Sequence, residues 1–222
     1  MSLILENICK SFDQGGKQLK ILKDINLEIK QGEIVALVGS SGAGKTTVLQ
    51  ISGLLDFPTS GVVKVNNKIV SFYDEKIITK IRKDSIGFIY QSHHLISELD
   101  AIENISLPLL IAGESKKMAA IKAKEILEEI GLIDRAFHFP AQLSGGERQR
   151  VSIARAIIKQ PSLILADEPT GNLDVKNSDN IYAILERFVR QKNISCLFVT
   201  HNNQLAKKTD RIIEISDGQI LC

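Results

Sequence analysis

Apolar and polar positions divide this chain into three stretches. Up to about Lys68 the apolar residues form short blocks or alternate with polar ones. The blocks are Leu3-Ile4-Leu5, a segment from Ile21 to Ile29 with Ile25, Leu27 and Ile29 at every second position, and Ile34-Val35-Ala36-Leu37-Val38. Alternation predicts a half-buried strand, and an unbroken β-branched run predicts a strand buried on both faces. Pro58-Thr59-Ser60-Gly61 reads as a turn into the strand Val62-Val63-Lys64-Val65, and Asn66-Asn67 as a hairpin turn. From about residue 92 to 142 the period becomes helical. Ser115 is placed to cap a helix carrying Met118, Ile121, Ile126, Leu127 and Ile130, and Gly131 to stop it. From Leu143 onwards helical segments alternate with the apolar runs Leu163-Ile164-Leu165-Ala166 and Cys196-Leu197-Phe198-Val199, which is the pattern of a parallel α/β sheet.

The punctuation between these elements carries the chemistry. Gly39-Ser40-Ser41-Gly42-Ala43-Gly44-Lys45-Thr46 matches the P-loop pattern in full, between a predicted buried strand and a segment, Thr46-Thr47-Val48-Leu49-Gln50-Ile51, that propagates a helix. In such a loop the glycines let backbone N–H groups wrap phosphates, Lys45 reaches the outer phosphates, and the Thr46 hydroxyl can ligate Mg²⁺. The run ending in Asp167-Glu168 supplies two carboxylates at a strand end. Phosphoryl transfer has a role for each: Asp167 in the Mg²⁺ shell, Glu168 facing the γ-phosphate and polarising the attacking water. The run at Val199 continues into Thr200-His201, and ligand groups collect at strand ends in open parallel sheets. His201 is therefore a candidate to touch the γ-phosphate.

Leu143-Ser144-Gly145-Gly146-Glu147 has two compatible readings. Ser144 and Glu147 have the spacing of a capping box at a helix start. A cap does not require Gly145 and Gly146, and glycine in a first turn is costly. Free N–H groups at a helix N-terminus bind phosphate, so the pentapeptide is also a candidate second phosphate site, one more than an ordinary nucleotide hydrolase needs.

Composition narrows the partners. The chain has 222 residues, 44% hydrophobic and 24% charged, enough for one sizeable core with an insertion. Its net charge of +2 gives no global argument for nucleic acid or an anionic membrane. Lys116-Lys117 and Lys207-Lys208 read as solvated faces. Cys9, Cys196 and Cys222 have no metal spacing, and buried thiols in a reducing compartment are expected. No run of 18 or more apolar residues and no signal-peptide core is present, so neither a membrane span nor a standard secretion route is expected. Repeats, low-complexity tracts and long linkers are absent as well.

In this order, residues 39–46, Gln91, residues 143–147, residues 163–168, Gly171-Asn172-Leu173-Asp174 and His201 resemble the nucleotide-binding subunit of an ABC transporter over essentially the whole chain. The resemblance implies one nucleotide-binding domain over residues 1–222. An antiparallel β subdomain and the P-loop core would span residues 1–91, and an inserted helical subdomain residues 92–142. The signature helix, the acidic strand end and the rest of the core would span residues 143–222. It implies ATP and Mg²⁺ as ligands. Phe12 would stack on adenine, with nucleotide contacts from Gly39, Ser40, Ser41, Gly42, Ala43, Gly44, Lys45, Thr46 and Thr47. Glu168, His201, Lys45 and Gln91 would be catalytic, and Thr46, Gln91 and Asp167 would hold the metal. It further implies that two copies pair head to tail, Ser144, Gly145 and Gly146 of one meeting the γ-phosphate on the P-loop of the other, with Asp174 in the loop that touches the opposite subunit.

A narrower likeness rests on Gly87-Phe88-Ile89-Tyr90-Gln91-Ser92-His93-His94-Leu95, Glu103-Asn104-Ile105 and Leu107-Pro108-Leu109-Leu110-Ile111, which resemble the ATPases of the bacterial lipoprotein-releasing system. Glu168-Pro169-Thr170-Gly171-Asn172-Leu173-Asp174 fits that group too, but is shared with macrolide-efflux and cell-division ABC ATPases. This likeness implies peripheral attachment to permease subunits at the cytoplasmic face of the inner membrane, with residues 92–111 as the dock. Residues 107–111 would line that dock or fill the subdomain core. The paired histidines mark the subgroup without a catalytic role. Two departures stand out: Phe12 where tyrosine is commoner, which keeps the π-face but loses a hydroxyl, and Asn202 where aspartate often follows the histidine. Ribosome- or DNA-acting ABC ATPases would need a second cassette or a long coiled coil, and a kinase or switch would leave the pentapeptide idle.

Overall fold

The computed structural model describes residues 1–171 and 173–221; Asn172 of the Gly171–Asp174 motif and Cys222 lie outside the described residues. In chain order the elements begin with β1 (Leu3–Gln14), β2 (Lys17–Ile29), β3 (Ile34–Val38), α1 (Lys45–Ser52), β4 (Ser60–Val65) and β5 (Lys68–Ile69). Next come α2 (Glu75–Ser85), β6 (Ile86–Tyr90), α3 (Ala101–Ile111), α4 (Lys116–Glu129) and, after two short 3-10 turns, α5 (Gly145–Ile157). The chain continues with β7 (Leu163–Asp167), α6 (Val175–Lys192), β8 (Ser195–Val199), α7 (Asn203–Ala206), β9 (Arg211–Ser216) and β10 (Gln219–Leu221).

Two sheets result. One is antiparallel, in the order β2-β1-β4-β5, and its last pair turns through Asn66 and Asn67, both in the left-handed region that a tight hairpin demands. The other has six strands in the order β10-β9-β3-β8-β7-β6, parallel from β9 to β6. The unbroken apolar runs are the centre of this second sheet. Successive residues feed two cores: Ile34, Ile164, Ala166, Cys196 and Phe198 face a core shared with α3 to α6, while Val35, Leu37, Leu163, Leu165, Leu197 and Val199 face α1 and the antiparallel sheet. A residue buried on either face must be apolar, which is why alternation disappears in these strands.

Helix α2 and strand β6 are elements the apolar pattern does not single out. Only Ile78 of α2 is buried, and β6 carries Gly87, where an added Cβ would lie 2.5 Å from the Ala156 carbonyl oxygen. Ser115 caps α4 through the Met118 N–H (3.3 Å), and Gly131 ends that segment at φ +66°. Residues 107–111 divide between the two roles open to them. Leu109 is buried in the core, while Ile111 is 63% exposed and lines an outer groove with Leu107 and Pro108. The two lysine pairs are exposed, Cys196 is buried, and Cys9 is partly so. Among the described residues no helix is long and apolar enough to cross a membrane.

Candidate nucleotide site

Strand register assembles the site. Tyr90 pairs with Asp167, Asp167 with Val199, and Val199 with Leu37, so four parallel strands end in one row. The next residues, Gln91, Glu168, Thr200 and Val38, therefore emerge side by side, with the P-loop immediately after Val38. This is the carboxyl edge where open parallel sheets bind ligands.

The P-loop turns tightly against the far hairpin. A Cβ on Gly39 would stand 2.2 Å from the Ile215 carbonyl oxygen, so only glycine fits, and Gly44 enters α1 at φ +105°. The Lys45 ammonium donates to the carbonyls of Gly39 (2.7 Å) and Ser40 (2.8 Å), spanning the hollow of the loop, and Ala43 is buried beneath it. A cavity of about 370 Å³ joins Phe12, Ser41, Gly42, Gly44, Lys45, Thr46 and Thr47 to Asp167 and Glu168. Phe12 is 43% exposed at its rim, with the Lys10 ammonium 4.8 Å from its ring centroid. Lys10 was not among the sequence candidates, and its own partner Asp56 (2.6 Å) lies far away in the chain.

Burial, and then the neighbouring Glu168 charge, push the Asp167 carboxyl above the usual carboxylate range, against the pull of Lys45. Two crowded carboxylates beside a threonine hydroxyl make a hard, all-oxygen donor set that suits Mg²⁺. Among the described residues no three His, Cys, Asp or Glu side chains converge as a metal site. Such an ion would take the rest of its shell from other oxygen donors.

Glu168 is held from several sides. Its backbone is left-handed (φ +44°), a costly conformation for a non-glycine residue. Its N–H donates to the Val199 carbonyl (3.0 Å), and its own carbonyl accepts from the Gly171 N–H (3.0 Å). On its side chain, Oε1 accepts from His201 Nδ1 (2.8 Å) and Oε2 from the Thr200 hydroxyl (3.4 Å). Thr200 was likewise absent from the sequence candidates; only its position at a strand end could have marked it. The Gln91 side chain lies against Gly171, close enough that a Cβ there would be 2.8 Å from Nε2. Asn202 accepts from the N–H groups of Gln204 (2.9 Å) and Leu205 (3.2 Å), so the amide supplies the cap an aspartate would.

Ser144, Gly145, Gly146 and Asp174 lie elsewhere, around a separate cavity of about 550 Å³ that shares no lining residue with the first. The capping box is present: the Ser144 hydroxyl accepts from the Glu147 N–H (3.3 Å), and Glu147 accepts from the Ser144 N–H (2.8 Å) and from Arg135 (3.3 Å). The Ser144 hydrogen bond foremost holds the Glu147 carboxyl below its usual range. A Cβ on Gly145 or Gly146 would meet nothing nearer than 3.6 Å, so packing within the chain requires neither glycine. Asp174 caps α6 through the Asn177 N–H (2.9 Å).

Comparison with known proteins bears on the family and the fold. A family model described as ABC transporter matches residues 22–171. The chain is 46% identical over 223 residues to the lipoprotein-releasing system ATP-binding protein LolD of Geobacter metallireducens, covering 100% of this chain and 99% of the relative. It is 43% identical over 219 residues to the protein of that name from Bordetella pertussis, covering 99% and 95%. Among solved structures, a dimeric ATP-binding cassette in a post-hydrolysis state with ADP and Pi superposes with a TM-score of 0.91 at 40% identity, over 99% of this chain and 97% of that one. A Clostridium perfringens cassette that is part of the cbiONQ ABC transporter complex superposes at 0.89 over 100% and 87%; at 24% identity it bears on the fold alone.

Proposed function

The chain belongs to the ABC transporter family, and from that premise we propose that it is the ATP-hydrolysing subunit of a complex that releases lipoproteins from the bacterial inner membrane. The observation that carries the ATPase reading is the single cavity joining the P-loop, Thr46, Asp167 and Glu168. Lipoprotein as cargo rests on full-length identity of 43–46% to proteins named for that system.

Phe12 stacks on the adenine, and the loop N–H groups with Lys45 hold the phosphates. Thr46, Asp167 and Gln91 would hold Mg²⁺. When bound, that ion neutralises charge on the β- and γ-phosphates. Glu168, oriented by His201 and Thr200, accepts the proton of the water that attacks the γ-phosphorus in line as the bond to the bridging oxygen breaks and ADP leaves, and His201 touches the phosphate. Two copies pair head to tail; the related cassette with ADP and Pi is itself dimeric, which supports pairing of this chain. The Ser144-Gly145-Gly146 backbone then faces a nucleotide on the other subunit's P-loop.

Permease subunits dock in a groove of about 460 Å³ between core and helical region. It takes in Leu107, Pro108 and Ile111 together with Phe88 and Tyr90. The subunit is peripheral on the cytoplasmic face. Co-purification from membranes, followed by ATPase assay with lipoprotein or with a hydrophobic drug, tests the cargo. Stimulation by lipoprotein supports the reading, and stimulation by the drug alone replaces it with an efflux role.

A further inference from the structure

The paired histidines, unexplained by nucleotide chemistry, sit in a well-built joint. His93 and His94 follow Gln91 by two and three positions, and both are left-handed, at φ +62° and +46°. Two such residues in succession need external support. Arg155 of α5 provides part of it, donating to the carbonyls of His93 (2.8 Å) and His94 (2.6 Å). The His94 ring stacks on Tyr90 at 4.7 Å. The Nδ1 of His93 donates to Oε1 of Gln149, a fully buried residue of α5.

Gln149 is an uneconomical choice unless that bond matters. Its Nε2 is buried and, among the described residues, has no hydrogen-bond partner. A buried amide with one end unpaired is penalised where a leucine would not be. The end that is paired, Oε1, is then the reason for an amide at this position. Gln149 lies just over one helical turn along α5 from Ser144.

We propose that His93 is a positioning residue that fastens the Gln91 loop to helix α5 through Gln149. Gln91 at a chain's own nucleotide and Ser144–Gly146 at its partner's nucleotide thereby shift as one body. The inference rests on the ATPase reading above. Arg155 grips backbone carbonyls and fixes the loop whatever its side chains; the His93–Gln149 bond ties it to the half of α5 that faces the partner.

The test uses the full-length protein, with turnover, ATP affinity and melting temperature measured on each variant. His93→Leu and His93→Gly should each lower kcat about tenfold while leaving the ATP Kd within about twofold. His93→Asn should restore kcat to within about twofold, because its amide nitrogen takes the place of Nδ1 and asparagine tolerates the left-handed backbone. Gln149→Leu should match His93→Leu in turnover without a lower melting temperature, and the double variant should be no worse than either. An asparagine variant as impaired as the leucine one, wild-type turnover in Gln149→Leu, or losses that track ATP Kd or melting temperature would overturn the proposal. A wild-type protein that binds ATP without hydrolysing it overturns the ATPase reading, and the inference with it.

Discussion

At the scale of single residues, Glu168 shows how position constrains an ordinary side chain. Its backbone is left-handed, and His201 and Thr200 hydrogen-bond to its two carboxylate oxygens. Glu168→Gln keeps the shape and most of the hydrogen bonding but removes the proposed base. We expect turnover to fall by about 10³-fold while ATP-bound dimer accumulates, measured by phosphate release and by size-exclusion chromatography with ATP. A monomeric variant with full activity would remove Glu168 from this role. The P-loop, both carboxylates and His201 were legible in the sequence because each follows a recognisable run. Lys10 and Thr200 were not, since their relevance depends on what the fold brings beside Phe12 and Glu168.

At the scale of elements, the first turn of α5 carries both a capping box and two glycines that packing does not require. The capping box closes its first N–H groups through side chains, while the two glycines leave its outer surface bare. Gly146→Asp sets a bulky anion where a phosphate is expected. It should abolish turnover yet leave ATP binding to the P-loop within about twofold, since a like charge at the helix start repels only what approaches that end. Fluorescent-nucleotide binding beside an ATPase assay would separate the two.

Helix α6 is joined to β9 and β3 by a different device. Asp210 accepts from Arg190 (2.7 and 2.9 Å) and from the Ile34 N–H (2.8 Å). Arg190 foremost holds the Asp210 carboxyl below its ordinary value of 3.8. A lowered carboxylate pKa contributes stability above the unfolded value and loses it as pH falls through the folded one. Both side chains are more than a third exposed, so Asp210→Asn should cost only about 0.5–1 kcal/mol near neutral pH. In thermal melts the gap to wild type should close below the usual carboxylate range; a gap that persists in acid would assign the effect to packing. Elements such as α2 and β6 escaped the sequence pattern for a packing reason. One buries a single isoleucine, and the other is interrupted by a glycine that a neighbouring backbone demands.

At the scale of the whole molecule, the two cavities share no lining residue, so the P-loop and the Ser144–Gly146 turn stand apart within one chain. If they combine across a head-to-tail pair, neither Lys45→Ala nor Gly146→Asp alone leaves an intact composite site. Mixing the two variants creates one in every heterodimer, and a random equal mixture should recover about a quarter of wild-type activity. No recovery would mean that each chain completes its own site. The sequence alone determined the parallel α/β class, the phosphate loop, the acidic strand end and the capping box, because each is a local pattern whose physics acts within a few residues. The tertiary structure decided what no local pattern reaches. Strand register set Gln91, Glu168 and Thr200 in one row, and packing divided Leu109 from Ile111. The Ser144–Gly146 turn was set around a cavity of its own. Contacts between residues distant in the chain depend on how layers pack, and that is settled only when the whole core closes.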